Sequence, residues 1–278
     1  MKHPILILAE RYPQLKMPIA PGARETEEYK NAVLRGLPCT AEPRFTFSER
    51  DSLTSVSTPA GPVDVLFLQE REDFEHAYRA LAYKCEPRDI PASMGAGFIS
   101  GLANWEKIQK HKTDYLLSGG QDWNNEFRAF TADKSNYTDA IVVLSSGLYS
   151  NVPAAEAGVE GTLWAEKSVT IRKFHELAHF VCRRLYPSNV DAVRDEVMAD
   201  AVGLLAAFGR YDRTLALRLL GISGDAFIPG GRLANYVEPD ALDGAVAQAK
   251  YTVARCAAAA VRCDPEDPFS LLTNGGLL

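Results

Sequence analysis

The sequence predicts an α+β fold, and three observations carry that reading. The first part has short apolar runs bounded by turn residues, at 54–58, 63–68 and 139–144. One amphipathic helical pattern, at 71–84, lies among them. The second part has long stretches of helical apolar spacing, at 164–185, at about 189–208 and from 239 to about 262. A mixed sheet with helices is therefore expected first and a mainly helical lobe after it.

Each element has its own warrant. Residues 1–11 contain the apolar run Ile5-Leu6-Ile7-Leu8, cut off by Glu10-Arg11, and are expected as a first strand. No convincing cleavage site follows, so a signal peptide is not expected. Residues 12–45 hold several prolines and charges and are expected to wrap the surface or cover a cleft. Residues 54–58 and 63–68, joined by Pro59-Ala60-Gly61-Pro62, form a hairpin pattern. Phe74, Tyr78, Leu81 and Ala82 share one face of the helix that follows. The segment Gly95-Ala96-Gly97-Phe98-Ile99-Ser100-Gly101 is spaced G-x-G-x-x-x-G and lacks the lysine of a phosphate loop, so a tight strand or turn is expected there. Asp139 to Leu144 is a strongly apolar strand.

The helix at 164–185 carries Val169, Phe174, Leu177, Val181 and Leu185 at apolar positions and ends at Tyr186-Pro187. Within it lies His175-Glu176-Leu177-Ala178-His179, an H-E-x-x-H pattern. Two imidazoles four residues apart on a helix project from one face, one turn apart. Both can then bind one tetrahedral metal ion, and Zn²⁺ favours such nitrogen ligands. Glu176 is placed to take a proton from a water at the metal's open position. The next helix is expected from about Asn189, with Ser188 as its N-cap and Asp191 as the acidic half of a capping box, and Gly209 stops it. Its segment Asp195-Glu196-Val197-Met198-Ala199-Asp200 begins soon after His179. Glu196 can be the third protein ligand of a catalytic zinc site. Asp200, one turn on, can accept the hydrogen bond from the back nitrogen of a liganding histidine. A short connection between the helices brings their inward faces within metal-bridging distance.

H-E-x-x-H on one helix followed by E-x-x-x-D on the next resembles the gluzincin branch of the zincin metallopeptidases, over about residues 175–200. The resemblance implies a zincin-like fold, zinc held by His175, His179 and Glu196, Glu176 as general base and Asp200 behind a ligand. The chain is expected to form an N-terminal α+β lobe, 1–165, of which 1–45 is an extended surface segment, and a helical metal-site lobe, 166–278, together one continuous zincin-like catalytic unit with the active site between the lobes. The resemblance also implies a strand that borders the cleft and pairs with extended substrate. The strand at 139–144 precedes the motif helix and fits either that role or a buried central place. A donor for the tetrahedral oxyanion is expected beyond the third ligand. No histidine follows His179, which leaves Tyr236 as the first candidate, with Arg232 and then Tyr211 behind it.

Composition narrows the remaining classes. The chain has 278 residues, 46% hydrophobic and 24% charged, an ordinary globular mixture. Its net charge is −6, and it has no basic run of five, which argues against a nucleic-acid partner. The five cysteines, Cys39, Cys85, Cys182, Cys256 and Cys263, include no C-x-x-C pair, so a reducing compartment fits and a cytoplasmic location is the simplest expectation. Cys182 reads as core, not ligand. No apolar stretch is long enough for a membrane span. The expected activity is zinc-dependent hydrolysis of a peptide or protein substrate. Two other readings stand beside it: a catalytically silent metal-holding regulatory or peptide-binding protein, and a zinc hydrolase of a small non-peptide amide.

Overall fold

A computed structural model describes residues 2–187, 191–264, 266–274 and 277. The fold is α+β, and the chain divides into two compact units. The first comprises the residues up to Thr54, Asp64–Ile90 and Ile99–Val143; the second comprises Ser55–Val63, Pro91–Phe98 and the chain from Leu144 onward.

The first unit opens with helix α1, Pro4–Arg11, where the sequence suggested a strand. The reason is local. Pro4 occupies the first turn, where its missing N–H costs nothing, and the His3 ring accepts the Ile5 N–H. So short an apolar run has no decisive period, but Ile5, Leu8 and Ala9 are buried at helical spacing. Residues 12–45 are also not simply a surface wrap. Tyr12, Leu15, Met17, Tyr29, Ala32 and Val33 lie in the core of this unit, carried by short helical turns.

Four strands form a mixed sheet in the order β1-β2-β4-β3. Strands β1, Ser52–Thr58, and β2, Gly61–Leu68, are the expected hairpin, with the turn tightened to Pro59-Ala60. Gly61 takes a φ of 108°, which a side chain would resist. Helix α2, Arg71–Ala82, follows and buries Phe74, Ala77 and Leu81. The glycine-rich segment becomes β3, Ala96–Ala103. Helices α3, Trp105–Leu117, and α4, Trp123–Ala132, follow, with the His111 ring stacked on Phe130. Strand β4, Thr138–Ser145, lies between β2 and β3, and Ile141 to Leu144 are all buried. It is therefore the interior strand of the two roles considered for it, and β3 holds the sheet edge.

In the second unit, α5, Gly161–Leu185, contains the H-E-x-x-H motif and is capped by Glu160, which accepts the Thr162 and Leu163 N–H groups. Helix α6, Ala192–Phe208, is capped by Asp191, whose side chain accepts the Arg194 N–H at 2.8 Å. The N-cap thus lies three residues later than expected; Ser188 and Asn189 fall outside the described residues. Gly209 ends α6 with φ 66° and an N–H bond to the Leu205 carbonyl. The two helices cross closely at Gly203. A Cβ there would stand 2.7 Å from the Ile171 carbonyl oxygen. Helix α7, Arg213–Leu219, leads to a small hairpin of β5, Ile222–Ser223, and β6, Ala226–Phe227. Helix α8, Leu242–Ala260, then packs on α6 and buries Ala245, Ala249, Val253 and Cys256. Its expected start at Pro239 is a separate 3-10 turn, Pro239–Ala241. Among the described residues no helix is long and apolar enough to cross a membrane.

Candidate metal centre

His175 and His179 sit one turn apart on the buried face of α5, and Glu196 reaches them from the first turns of α6. Their ligand atoms all lie within 4.8 Å of one another. The two Nε2 atoms are 3.0 Å apart, and the Glu196 carboxylate oxygens lie 3.4 Å from each. Bonds of about 2.0–2.1 Å in tetrahedral geometry give ligand-to-ligand edges of about 3.4 Å, so the triangle has the size of a zinc coordination face.

The backs of the rings explain the polarity of this face. His175 Nδ1 lies 2.8 Å from Asp200 Oδ1, and His179 Nδ1 lies 2.9 Å from Asp195 Oδ2. A carboxylate accepts only, so each Nδ1 keeps a proton, and each Nε2 presents its lone pair once the ring is neutral. Two lone pairs and a carboxylate then converge with no donor among them. Glu196 Oε2 is buried and has no hydrogen-bond partner among the described residues. Such a cluster calls for a cation. Without a metal, protons partly serve. Burial opposes charge on His179, but Asp195 and Glu196 outweigh it and raise its pKa to about 10. His175 is raised in the same sense, burial again opposing and Asp200 and Glu196 prevailing. Burial works against ionised Glu196 too, yet the two histidines hold it well below the usual carboxylate range. The donor set fits a divalent ion with nitrogen and carboxylate preference, zinc foremost.

Asp200 is itself enclosed. Its Oδ1 accepts from His175 and from the Tyr149 hydroxyl at 2.6 Å, and its Oδ2 pairs with the Arg232 guanidinium. Arg232 also donates to the Tyr149 oxygen at 2.8 Å. Burial disfavours the Asp200 anion, but Arg232 and His175 keep its pKa depressed. Glu176, beside His175, accepts the backbone N–H of Phe98 at 2.7 Å. Compared with known protein families, residues 2–267 match one described as a family of unknown function, DUF7005. The chain belongs to this family. No curated protein and no solved structure matches it.

In this DUF7005 chain the sequence-derived site residues fall within the second unit. His175, His179, Glu196 and Asp200 are brought together as expected, and Glu176 stands beside them. Tyr236 faces Glu196 and Arg232, and burial raises its pKa, so its hydroxyl stays a neutral donor. Arg232 spends both terminal nitrogens on Tyr149 and Asp200. The Tyr211 hydroxyl is buried without a hydrogen-bond partner among the described residues. Cys182 is buried against Asp195, and burial pushes its thiol up to about 12, as for a core cysteine. Sequence reasoning missed two participants. Asp195 adjoins Glu196 and shows itself only when His179 is seen to turn toward it. Tyr149 lies in a loop 26 residues before His175, where no periodicity marks it.

Proposed function

We propose that this DUF7005 protein is a zinc-dependent hydrolase, with peptide bonds as its preferred substrate. The observation that carries the proposal is the buried convergence of His175, His179 and Glu196 with a carboxylate behind each imidazole and Glu176 alongside. Zinc, when bound, would polarise the scissile carbonyl and lower the pKa of a coordinated water. The chain's own residues supply the rest. Asp200 and Asp195 keep the histidine protons on the far nitrogens, so both Nε2 lone pairs face inward. Glu176 accepts a proton from the attacking water and passes it to the leaving amine. One of its oxygens is tethered by the Phe98 amide, which fixes the direction of the carboxylate. Tyr236, kept protonated by burial, donates toward the developing oxyanion.

The preference for peptides over small amides rests on β3. It is an edge strand, and its Phe98 amide touches the base, so an extended chain laid along that edge reaches Glu176. The deciding experiment measures metal by mass spectrometry and cleavage of a peptide library. About one zinc per wild-type chain, lost in Glu196→Ala, is expected, with turnover lost and zinc kept in Glu176→Gln. Wild type that takes up no zinc would sink the proposal. Turnover unchanged in Glu176→Gln would remove the base from it.

A further inference from the structure

The loop between β4 and α5 is held by one side of α5. Trp164, Ser168, Arg172 and His175 follow one another at helical spacing. Trp164 Nε1 donates to the Val152 carbonyl at 2.8 Å, and Ser168 Oγ accepts the Tyr149 N–H at 3.0 Å. The buried Arg172 guanidinium donates to the Gly147 and Leu148 carbonyls at 2.7 Å each. A Cβ on Gly95 would stand 2.5 Å from Arg172 Nε, so a side chain there would push the guanidinium from its place. Between these clamps Ser150 and Asn151 take φ angles of 52° and 55°. Two consecutive side-chain-bearing residues in the left-handed region are strained and persist only where the surroundings enforce them.

The clamped loop delivers one group to the metal centre, the Tyr149 phenol. Its oxygen lies 2.9 Å from His175 Nδ1, donates to Asp200 and accepts from Arg232. His179 has a simpler support among the described residues, Asp195, whose side chain is 25% exposed. A single carboxylate therefore suffices to orient a histidine here, and the assembly behind His175 does more. Tyr149 gives the imidazole a second anchor, and Arg232 offsets the charge of Asp200.

We infer that Tyr149 is a positioning residue for the metal ligand His175, with Arg232 as its partner, and that the strained loop serves to deliver it. The inference rests on the metal-site part of the proposed function and is independent of hydrolysis. Zinc dissociation constants by chelator competition, together with melting temperatures of the chelated proteins, test it. Tyr149→Phe is expected to weaken zinc by about 10–100-fold, in the range found when a ligand's supporting partner is removed. Arg232→Met is expected to weaken it similarly, and Arg232→Lys to recover part of the loss. A purely structural Tyr149 would lower the melting temperature of the chelated protein and leave the zinc constant within about twofold of wild type; that result overturns the inference. Should Tyr149→Phe fail to fold, Ser168→Ala, which releases the Tyr149 N–H and loosens the loop without touching Asp200, replaces it: weaker zinc is expected, and an unchanged constant overturns the inference. Wild type without zinc affinity would overturn the metal site as a whole, whereas tight wild-type binding with an unchanged Phe variant would overturn only the role of Tyr149. No hydrolytic activity enters the readout, so loss of the peptidase reading alone leaves this result standing.

Discussion

Each imidazole at the centre carries its proton on the nitrogen that faces a carboxylate, so the chemistry of His175 and His179 is set at Asp200 and Asp195. Replacing Asp200 with Asn keeps the shape and removes the charge. Zinc affinity is then expected to fall about 10–100-fold, measured by chelator competition. Glu176→Gln should leave that affinity intact and reduce turnover by about 10²–10⁴, the usual contribution of a proton-transfer group. The pH dependence follows from His179, whose pKa rises from 6.5 to about 10 because Asp195 and Glu196 outweigh burial. Zinc has to displace that proton. Its apparent affinity should therefore climb between pH 6.5 and about 10 and level off above. A flat profile across that window would contradict the assignment of His179 as ligand.

The crossing of α5 and α6 is what adds Glu196 to the two histidines of a five-residue motif. Glu196 reaches the histidines because Gly203 lets the second helix lie against the Ile171 carbonyl. Gly203→Ala improves helix propensity by about 1 kcal/mol. It also forces a Cβ to within 2.7 Å of backbone oxygen. Overpacking of this kind costs about 1–3 kcal/mol, so a lower melting temperature and weaker zinc binding are expected together. Equal or higher stability would mean that the helices can part without harm to the site. The ends of these helices differ in how plainly the sequence marks them. Gly209 announces the end of α6, because only a residue tolerant of positive φ suits that position. Its start is less plain, since Ser188 and Asp191 are both good capping residues and the geometry of the chain chooses Asp191. Helix α1 escaped the pattern altogether, because a short apolar run satisfies either period and a histidine cap is uncommon.

In the molecule as a whole, the proposed zinc site would couple metal binding to folding through the same buried charges. A ligand that binds only the folded state adds about 4 kcal/mol at a thousandfold excess over its dissociation constant. Chelation should therefore lower the melting temperature clearly, and zinc should restore it. The chelated protein should also respond to pH in a defined sense. His179 has a folded pKa raised to about 10, so its protonation stabilises the fold fully below pH 6.5 and that contribution is lost as pH rises toward 10. Asp200 has a folded pKa depressed below 3.8 by Arg232 and His175 against the opposing effect of burial, so its contribution is present above that value and lost as pH falls through the lower folded pKa. Melting curves in chelator at stepped pH check both limbs, and stability unchanged from pH 6.5 to 10 would contradict the first.

The clustering of His175, His179, Glu196 and Asp200 was legible in the chain because helical periodicity is a local property. Spacing of four residues puts His175 above His179 and Glu196 above Asp200 whatever the rest of the protein does. The α+β class was legible for the same reason, since the long helices and the apolar strand 139–144 declare their own periods. Tertiary structure settled what depends on neighbours distant in sequence. It put β4 inside the sheet and β3 at its edge, turned His179 toward Asp195, and brought the Tyr149 hydroxyl to His175. Strand order and loop delivery are contacts between distant segments, and no period along one segment encodes them.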